Sequence, residues 1–250
     1  MRLRHFAIVV YSSIVFLCVL HFFHMKNPWV VIGVIAVVLF GGAFWYSSVV
    51  TEKNNEGVVV EAHVKGNPDA AVRLVEYSDF QCPACAAFQP VVEQVLASYG
   101  DSLAFEYMHY PLPIHPYAVQ AAVAAEAAGQ QDKFFEYHDL LFEHQTEWSN
   151  SSTPAVQFQA YAEELGLDLE TFKRHMNSSI LKDHVRTQTQ TGRDMGIMAT
   201  PTFILNGEQM VIETYEDFIA QIAAAIDPNL AEPEDAVTTT STDTAVEFGL

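Results

Sequence analysis

The sequence predicts an α/β domain with a helical insertion, preceded by an N-terminal membrane anchor. Three observations carry this expectation. Residues 71–77 ("AVRLVEY") and 103–107 ("LAFEY") read as strands on either side of a helical stretch, which is the pattern of a βαβ unit and a parallel pair. Residues 115–195 then read almost wholly as helix before strands resume at "TPTFILNG". Ahead of all this, residues 28–50 hold no charged side chain.

Composition narrows the function classes. The chain has 250 residues, half of them hydrophobic, so a buried core needs no disulfide scaffold. Its formal charge of -19 and the lack of any basic stripe exclude nucleic acid and an anionic surface as partners, because phosphate binding needs clustered Lys and Arg. Of three cysteines, Cys82 and Cys85 share one motif and Cys18 stands in an apolar run, where it reads as a small buried hydrophobe.

Residues 1–24 form a hydrophobic extension in which residues 6–23 are uncharged, and residues 25–50 form the anchor. At 1.5 Å per residue, residues 28–50 reach roughly 34 Å, enough for a hydrocarbon core of about 30 Å, whereas residues 6–23 reach only about 27 Å. If both runs span, Arg2 and Arg4 hold the start inside and the domain is cytoplasmic. If translation begins at Met25, Lys26 stays inside, the bilayer is crossed once through residues 28–50, and the domain lies outside the cell membrane; this second topology is the one expected.

Residues 51–57 ("TEKNNEG") read as a polar linker, and residues 58–227 as the folded domain. A short strand is expected at 58–60 and a stronger one at 71–77, followed by a helix from Cys82 to about Tyr99 with Val91, Val95 and Leu96 inward and Gly100 as its stop. Within the insertion, about 115–195, the run "AVQAAVAAEAAG" reads as a helix packed close to its neighbours. Asn206 and Gly207 mark a hairpin turn between "TPTFIL" and "QMVIE", and residues 215–226 make a closing amphipathic helix. Residues 228–250 carry five acids and no Lys or Arg, the composition of a disordered acidic tail.

The stretch "YSDFQCPACAAFQ" carries the chemistry. A helix N-terminus offers unpaired N–H groups and the positive end of the dipole, so a thiol at Cys82 ionises easily, and Cys85 follows one turn later on the same face. Pro83 suits the first turn, where its missing N–H costs nothing. Half a zinc site is the alternative, but no second Cys pair or Cys-His pair follows, so no metal is expected. Histidines such as His109, His138, His144 and His175 show no ligand spacing toward Cys82 and read as surface or core residues.

Two further residues sharpen the site. Glu76 alternates with Val72 and Leu74, which puts a carboxyl where an apolar side chain belongs and raises its pKa, unless the strand is an edge and Glu76 faces solvent. Raised toward neutrality, it can take a proton from Cys85. Pro201, at the start of a strand after Thr200, suits a cis bond that leaves the Thr200 backbone open to an extended peptide; a trans turn proline is the alternative.

Taken together, "VEYSDFQCPACAAF", "YPLPIHPYAVQAAVAAEAAGQQDKFFEYHDLLF" and "GIMATPTFILNG" resemble the DsbA-like branch of the thioredoxin superfamily, in membrane-anchored bacterial form. The resemblance implies a thioredoxin-like fold and catalysis by the redox-active disulfide Cys82–Cys85 with no other cofactor, with Glu76 beneath the site and cis-Pro201 opposite. It implies client contacts at Thr200, Pro83 and Ala84. The partners it implies are unfolded or exported cysteine-containing proteins and a membrane reoxidising protein of the DsbB or VKOR type. Ala84 stands where the strongest oxidants of that branch have a histidine, and it can donate neither charge nor hydrogen bond to Cys82. Lowering a thiol pKa by three units takes about 4 kcal/mol, of which a helix end supplies at most about 2, so backbone N–H groups must provide the rest. A disulfide reductase or isomerase, and a binding module on the same fold, are the competing functions.

Overall fold

The structure is a computed structural model that describes residues 28–228. The apolar run 6–23 with Cys18, the start at Met25 and the acidic tail after Pro228 lie outside the described residues. Helix α1 spans Pro28–Asn54, and the fold proper follows with β1 (His63–Gly66), β2 (Val72–Ser78), α2 (Pro83–Tyr99) and β3 (Leu103–His109). Six helices make the insertion: α3 (Ala118–Gly129), α4 (Phe134–Glu143), α5 (Gln145–Ser149), α6 (Pro154–Glu164), α7 (Leu169–His175) and α8 (Ser179–Asp194). Then come β4 (Thr202–Leu205), β5 (Glu208–Gln209) and α9 (Tyr215–Ile226).

The strands lie in the order β1-β3-β2-β4-β5, with β2 and β3 parallel and the other pairs antiparallel. β2 is therefore central, and Glu76 is in register with Tyr107 on β3 and with Phe203 on β4. That excludes the edge-strand alternative for Glu76. One large core joins the sheet to α2, α3, α4 and α9, with Leu74, Phe105, Tyr107, Phe203 and Phe218 fully buried. The alanines of α3 are nearly all buried, which lets this helix lie close to its neighbours. Close approach recurs at Gly192, where a Cβ would come within 2.7 Å of the Tyr110 ring, so α8 sits directly on Tyr77 and Tyr110.

Three expectations need correction. Residues 58–60 are not a strand: the Gln130 side-chain amide takes up the Val59 N–H and carbonyl at 2.8 and 2.7 Å, and ladder pairing begins only at His63. On α2 Val95 and Leu96 are buried and Val91 packs partly buried against the core, as expected, and Val92 is buried as well. β5 is confined to Glu208–Gln209, although the Met210 N–H still reaches the Phe203 carbonyl at 2.9 Å; the turn residues Asn206 and Gly207 have φ of 50° and 90°, as the hairpin requires.

The third concerns the linker. Residues 51–54 continue α1, and Asn55 docks on the start of α8, its Oδ1 accepting from Ser178 Oγ at 2.8 Å and from the Ser179 N–H at 3.0 Å. The polar stretch is thus held against the insertion and is not a free tether. Its side chains suit a helix as well as a loop, and an amide finds ready partners at a helix N-terminus. Among the described residues one helix is long and apolar enough to cross a membrane, over Val31–Asn54, with mean hydropathy 1.9 and no part of its apolar window buried.

Candidate active site

β2 delivers the chain to α2 through a tight turn. Cys82 is the N-cap of α2 with φ −78° and ψ 121°, and Pro83 takes the first helical position. The turn is fastened from several sides. The Cys82 N–H donates to the Asp79 carbonyl at 3.0 Å and the Gln81 N–H to Asp79 Oδ1 at 2.7 Å. Asp79 Oδ2 accepts from the Leu112 N–H at 2.8 Å and pairs with His115 Nδ1 at 2.7 Å, which ties the segment after β3 to the turn.

Both cysteines are free thiols, with Cys82 7% and Cys85 1% exposed, so Cys82 is the sulfur that a partner can reach. Pro83 and Ala84 beside it are exposed. Opposite lies Thr200, joined to Pro201 by a cis peptide bond, with its carbonyl oxygen 3.5 Å from Cys82 Sγ.

The electrostatics separate the two thiols. The Cys85 thiol donates to the Cys82 sulfur, and with help from Thr200 and the N–H groups of Cys85 and Ala84 it brings Cys82 down to about 5 against the burial that opposes it. The leading donor is therefore the second thiol, whereas the sequence pointed to backbone N–H groups alone. Burial, together with the bond to Cys82, drives Cys85 well above the usual thiol range. Burial pushes the Glu76 carboxyl up to about 7; Ser78 offsets part of this and the neighbouring Cys82 adds to it. Tyr107, in register with Glu76, is likewise raised well above its usual range by burial.

Cys82, Cys85, Glu76, Thr200 and Pro201 thus converge, with Pro83 and Ala84 on the open side. Sequence reasoning missed Asp79, His115 and Gln145. Asp79 was within reach, because an Asp two residues before an N–H that must turn into a helix forms a local Asx turn. His115 and Gln145 come from the insertion side and carry no local signal. A second polar centre was also missed: on the insertion side of the sheet, Oε1 of the fully buried Glu126 faces Nε2 of His63 at 3.1 Å, of His109 at 2.9 Å and of His184 at 3.6 Å. His109, His138 and His175 are buried, and His144 stacks on Tyr161.

Comparison with known proteins places this geometry. The family model described as Thioredoxin (Thioredoxin_4) matches residues 59–224. Of solved structures, BdbD from Bacillus subtilis in its oxidised form is 24% identical with a TM-score of 0.58, covering 71% of this chain and 95% of its own. The thiol-disulfide exchange protein alpha-DsbA2 from Wolbachia pipientis is 18% identical with a TM-score of 0.58, covering 71% and 96%. A curated relative, the Na(+)/H(+) antiporter NhaA 3 of Salinispora tropica, is 40% identical over 148 residues, which is 59% of this chain and 22% of the antiporter. The chain spans under a quarter of the length of the curated relatives it matches. With the family model running through both halves of the sheet and the insertion between them, this chain belongs to the thioredoxin family.

Proposed function

We propose that the protein is a membrane-tethered thiol-disulfide oxidoreductase that donates its Cys82–Cys85 disulfide to exported cysteine-containing proteins. The observation that carries this reading is the asymmetry of the pair: a reachable sulfur favoured as thiolate stands above a buried sulfur favoured as thiol. A dithiol so stabilised makes a labile disulfide, because the leaving thiolate at Cys82 is a good one.

In the donating direction a client thiolate attacks Cys82 Sγ, the Cys82–Cys85 bond breaks, and Cys85 leaves as a thiolate that takes a proton from Glu76. A second client thiolate then attacks the client sulfur of the mixed disulfide and releases Cys82 as thiolate. The client loses two electrons and the pair gains them. In reverse, Glu76 takes the Cys85 proton while Cys85 attacks Cys82, and a carboxyl held near 7 suits both directions at neutral pH. The electrons stay on sulfur throughout, so no metal or organic cofactor is used.

The Thr200 carbonyl and the exposed Pro83 and Ala84 are the contacts for an extended client segment, and Ile114 and Met198, 79% and 88% exposed, add apolar surface suited to unfolded chains. The apolar length of α1 supports a membrane anchor, and a disulfide that is to be passed on suits a domain on the extracytoplasmic side, where disulfides persist. Continued turnover there needs a membrane reoxidising partner of the DsbB or VKOR type. The direct assay is oxidative refolding of a reduced client with glutathione disulfide. The protein accelerates recovery and Cys82→Ser abolishes the gain; equal acceleration by Cys82→Ser refutes the proposal.

A further inference from the structure

Gln145 stands on α5, in the helical insertion, and reaches across to the turn that carries Cys82. The residue is 8% exposed, and its Nε2 donates to the Phe80 carbonyl at 2.8 Å and to the Cys82 carbonyl at 2.9 Å. Both amide hydrogens are thus spent on the two carbonyls that bracket Gln81. The N–H groups of the same turn are satisfied from within it, by Asp79. Its carbonyls are satisfied from the insertion.

This matters for the sulfur. A carbonyl oxygen carries negative partial charge, and two of them beside Cys82 disfavour a thiolate unless donors offset them. The Cys82 carbonyl also opens α2, accepting from the Ala86 N–H at 3.2 Å, so fixing it fixes the first helical turn, whose Ala84 and Cys85 N–H groups favour the thiolate. We propose that Gln145 is a positioning residue for the Cys82 thiolate, through which the helical insertion sets how readily Cys82 ionises and exchanges. This rests on Cys82 being the exchanging sulfur. A buried amide that merely satisfies two carbonyls would stabilise the fold and leave ionisation alone, and the two roles separate experimentally.

Gln145→Leu removes the amide, and Gln145→Met keeps the length of the side chain without either donor or any charge. Trp148→Phe is the control: Trp148 lies on the same helix, fully buried, with its Nε1 bonded to the Leu141 carbonyl at 2.7 Å, away from the turn. The reduced full chain in detergent is alkylated with iodoacetamide between pH 4 and 9, and modification at Cys82 is followed by peptide mass. We expect the thiolate fraction at pH 5 to fall at least threefold in both Gln145 variants, and Trp148→Phe to lower the melting temperature without changing that fraction. Gln145 variants that melt lower yet ionise as the wild type overturn the inference, and if Gln145→Leu does not fold, Gln145→Met alone decides. The wild-type curve separately tests the proposed function, since a Cys82 that titrates like a free thiol defeats that reading whatever the variants do.

Discussion

The sulfur of Cys82 lies 3.5 Å from the carbonyl oxygen of Thr200, and the Thr200 hydroxyl, buried beside it, helps lower the thiol while no other group among the described residues takes up its hydrogen. One residue therefore faces the sulfur with an acceptor for the thiol and a donor for the thiolate. Thr200→Val keeps the carbonyl and the shape but removes the donor. A hydrogen bond to a charged group is worth about 1.5 kcal/mol, so the thiolate fraction at pH 5 should fall by up to about tenfold. Thiolate absorbance against pH measures this directly, and an unchanged titration would mean that the hydroxyl plays no part.

Glu76 yields a prediction whose sign differs from the usual carboxylate. Its folded pKa, about 7, lies above the ordinary 4.5, so the folded state holds the proton more tightly and the protein loses stability as pH rises from about 4.5 through 7. Glu76→Gln should match the wild type in stability at pH 4 and exceed it by up to about 3 kcal/mol at pH 8, read by guanidinium unfolding of the reduced protein. The same variant should slow the Cys85-dependent resolution of a mixed disulfide by about tenfold or more at pH 7 and erase its rise near neutrality. Equal stability at pH 8 would contradict the burial of an ionisable carboxyl.

The Glu126 centre gives the opposite slope. Burial holds His109 and His184 below the usual 6.5. Burial would raise Glu126, but the bonds from His109 and His63 prevail and hold it well below the carboxylate range. In each case the folded state binds fewer protons than the unfolded chain, so stability is lost as pH falls, first below about 6.5 and again below 4.5. Because Glu76 opposes this between 4.5 and 7, Glu76→Gln should show the acid loss undiluted. Glu126→Gln replaces a charged acceptor of the imidazole N–H groups by a neutral one, and should cost about 2 kcal/mol at pH 7 in denaturant unfolding. A cost within error of zero would show that the centre is not a coupled charge site.

Asn55 supplies a smaller test of how α1 meets the domain. Asn55→Ala removes its bonds to Ser178 and Ser179 at the start of α8. The expected loss is about 1 kcal/mol, with faster amide exchange confined to the first turn of α8. Exchange that is unchanged there would mean that the contact does not hold in solution.

What could be read from the sequence follows the range of the interactions. Cys82, Cys85 and Pro83 are set by local spacing at a helix start, and Glu76 by alternation along seven residues of one strand. Those patterns need no knowledge of the rest of the chain. Gln145 and His115 act on the same turn from 63 and 36 residues away in sequence, through the packing of the insertion, so no local pattern announces them. Glu126 shows the same limit: it looked like one acid in an alanine helix, and only the crossing of β1, β3, α3 and α8 makes it the partner of three histidines. The start of β1 was misplaced because a distant side chain, Gln130, occupies the backbone of Val59.

The proposed function requires Cys82–Cys85 to be a labile disulfide that is given away. Its reduction potential, measured by thiol trapping after equilibration in glutathione buffers, tests that most directly. The depressed Cys82 and the donors around it stabilise the reduced pair, and so predict a potential well above the glutathione poise of about −220 to −260 mV. A potential near the −270 mV or so typical of thioredoxin would contradict the account and make the protein a reductase.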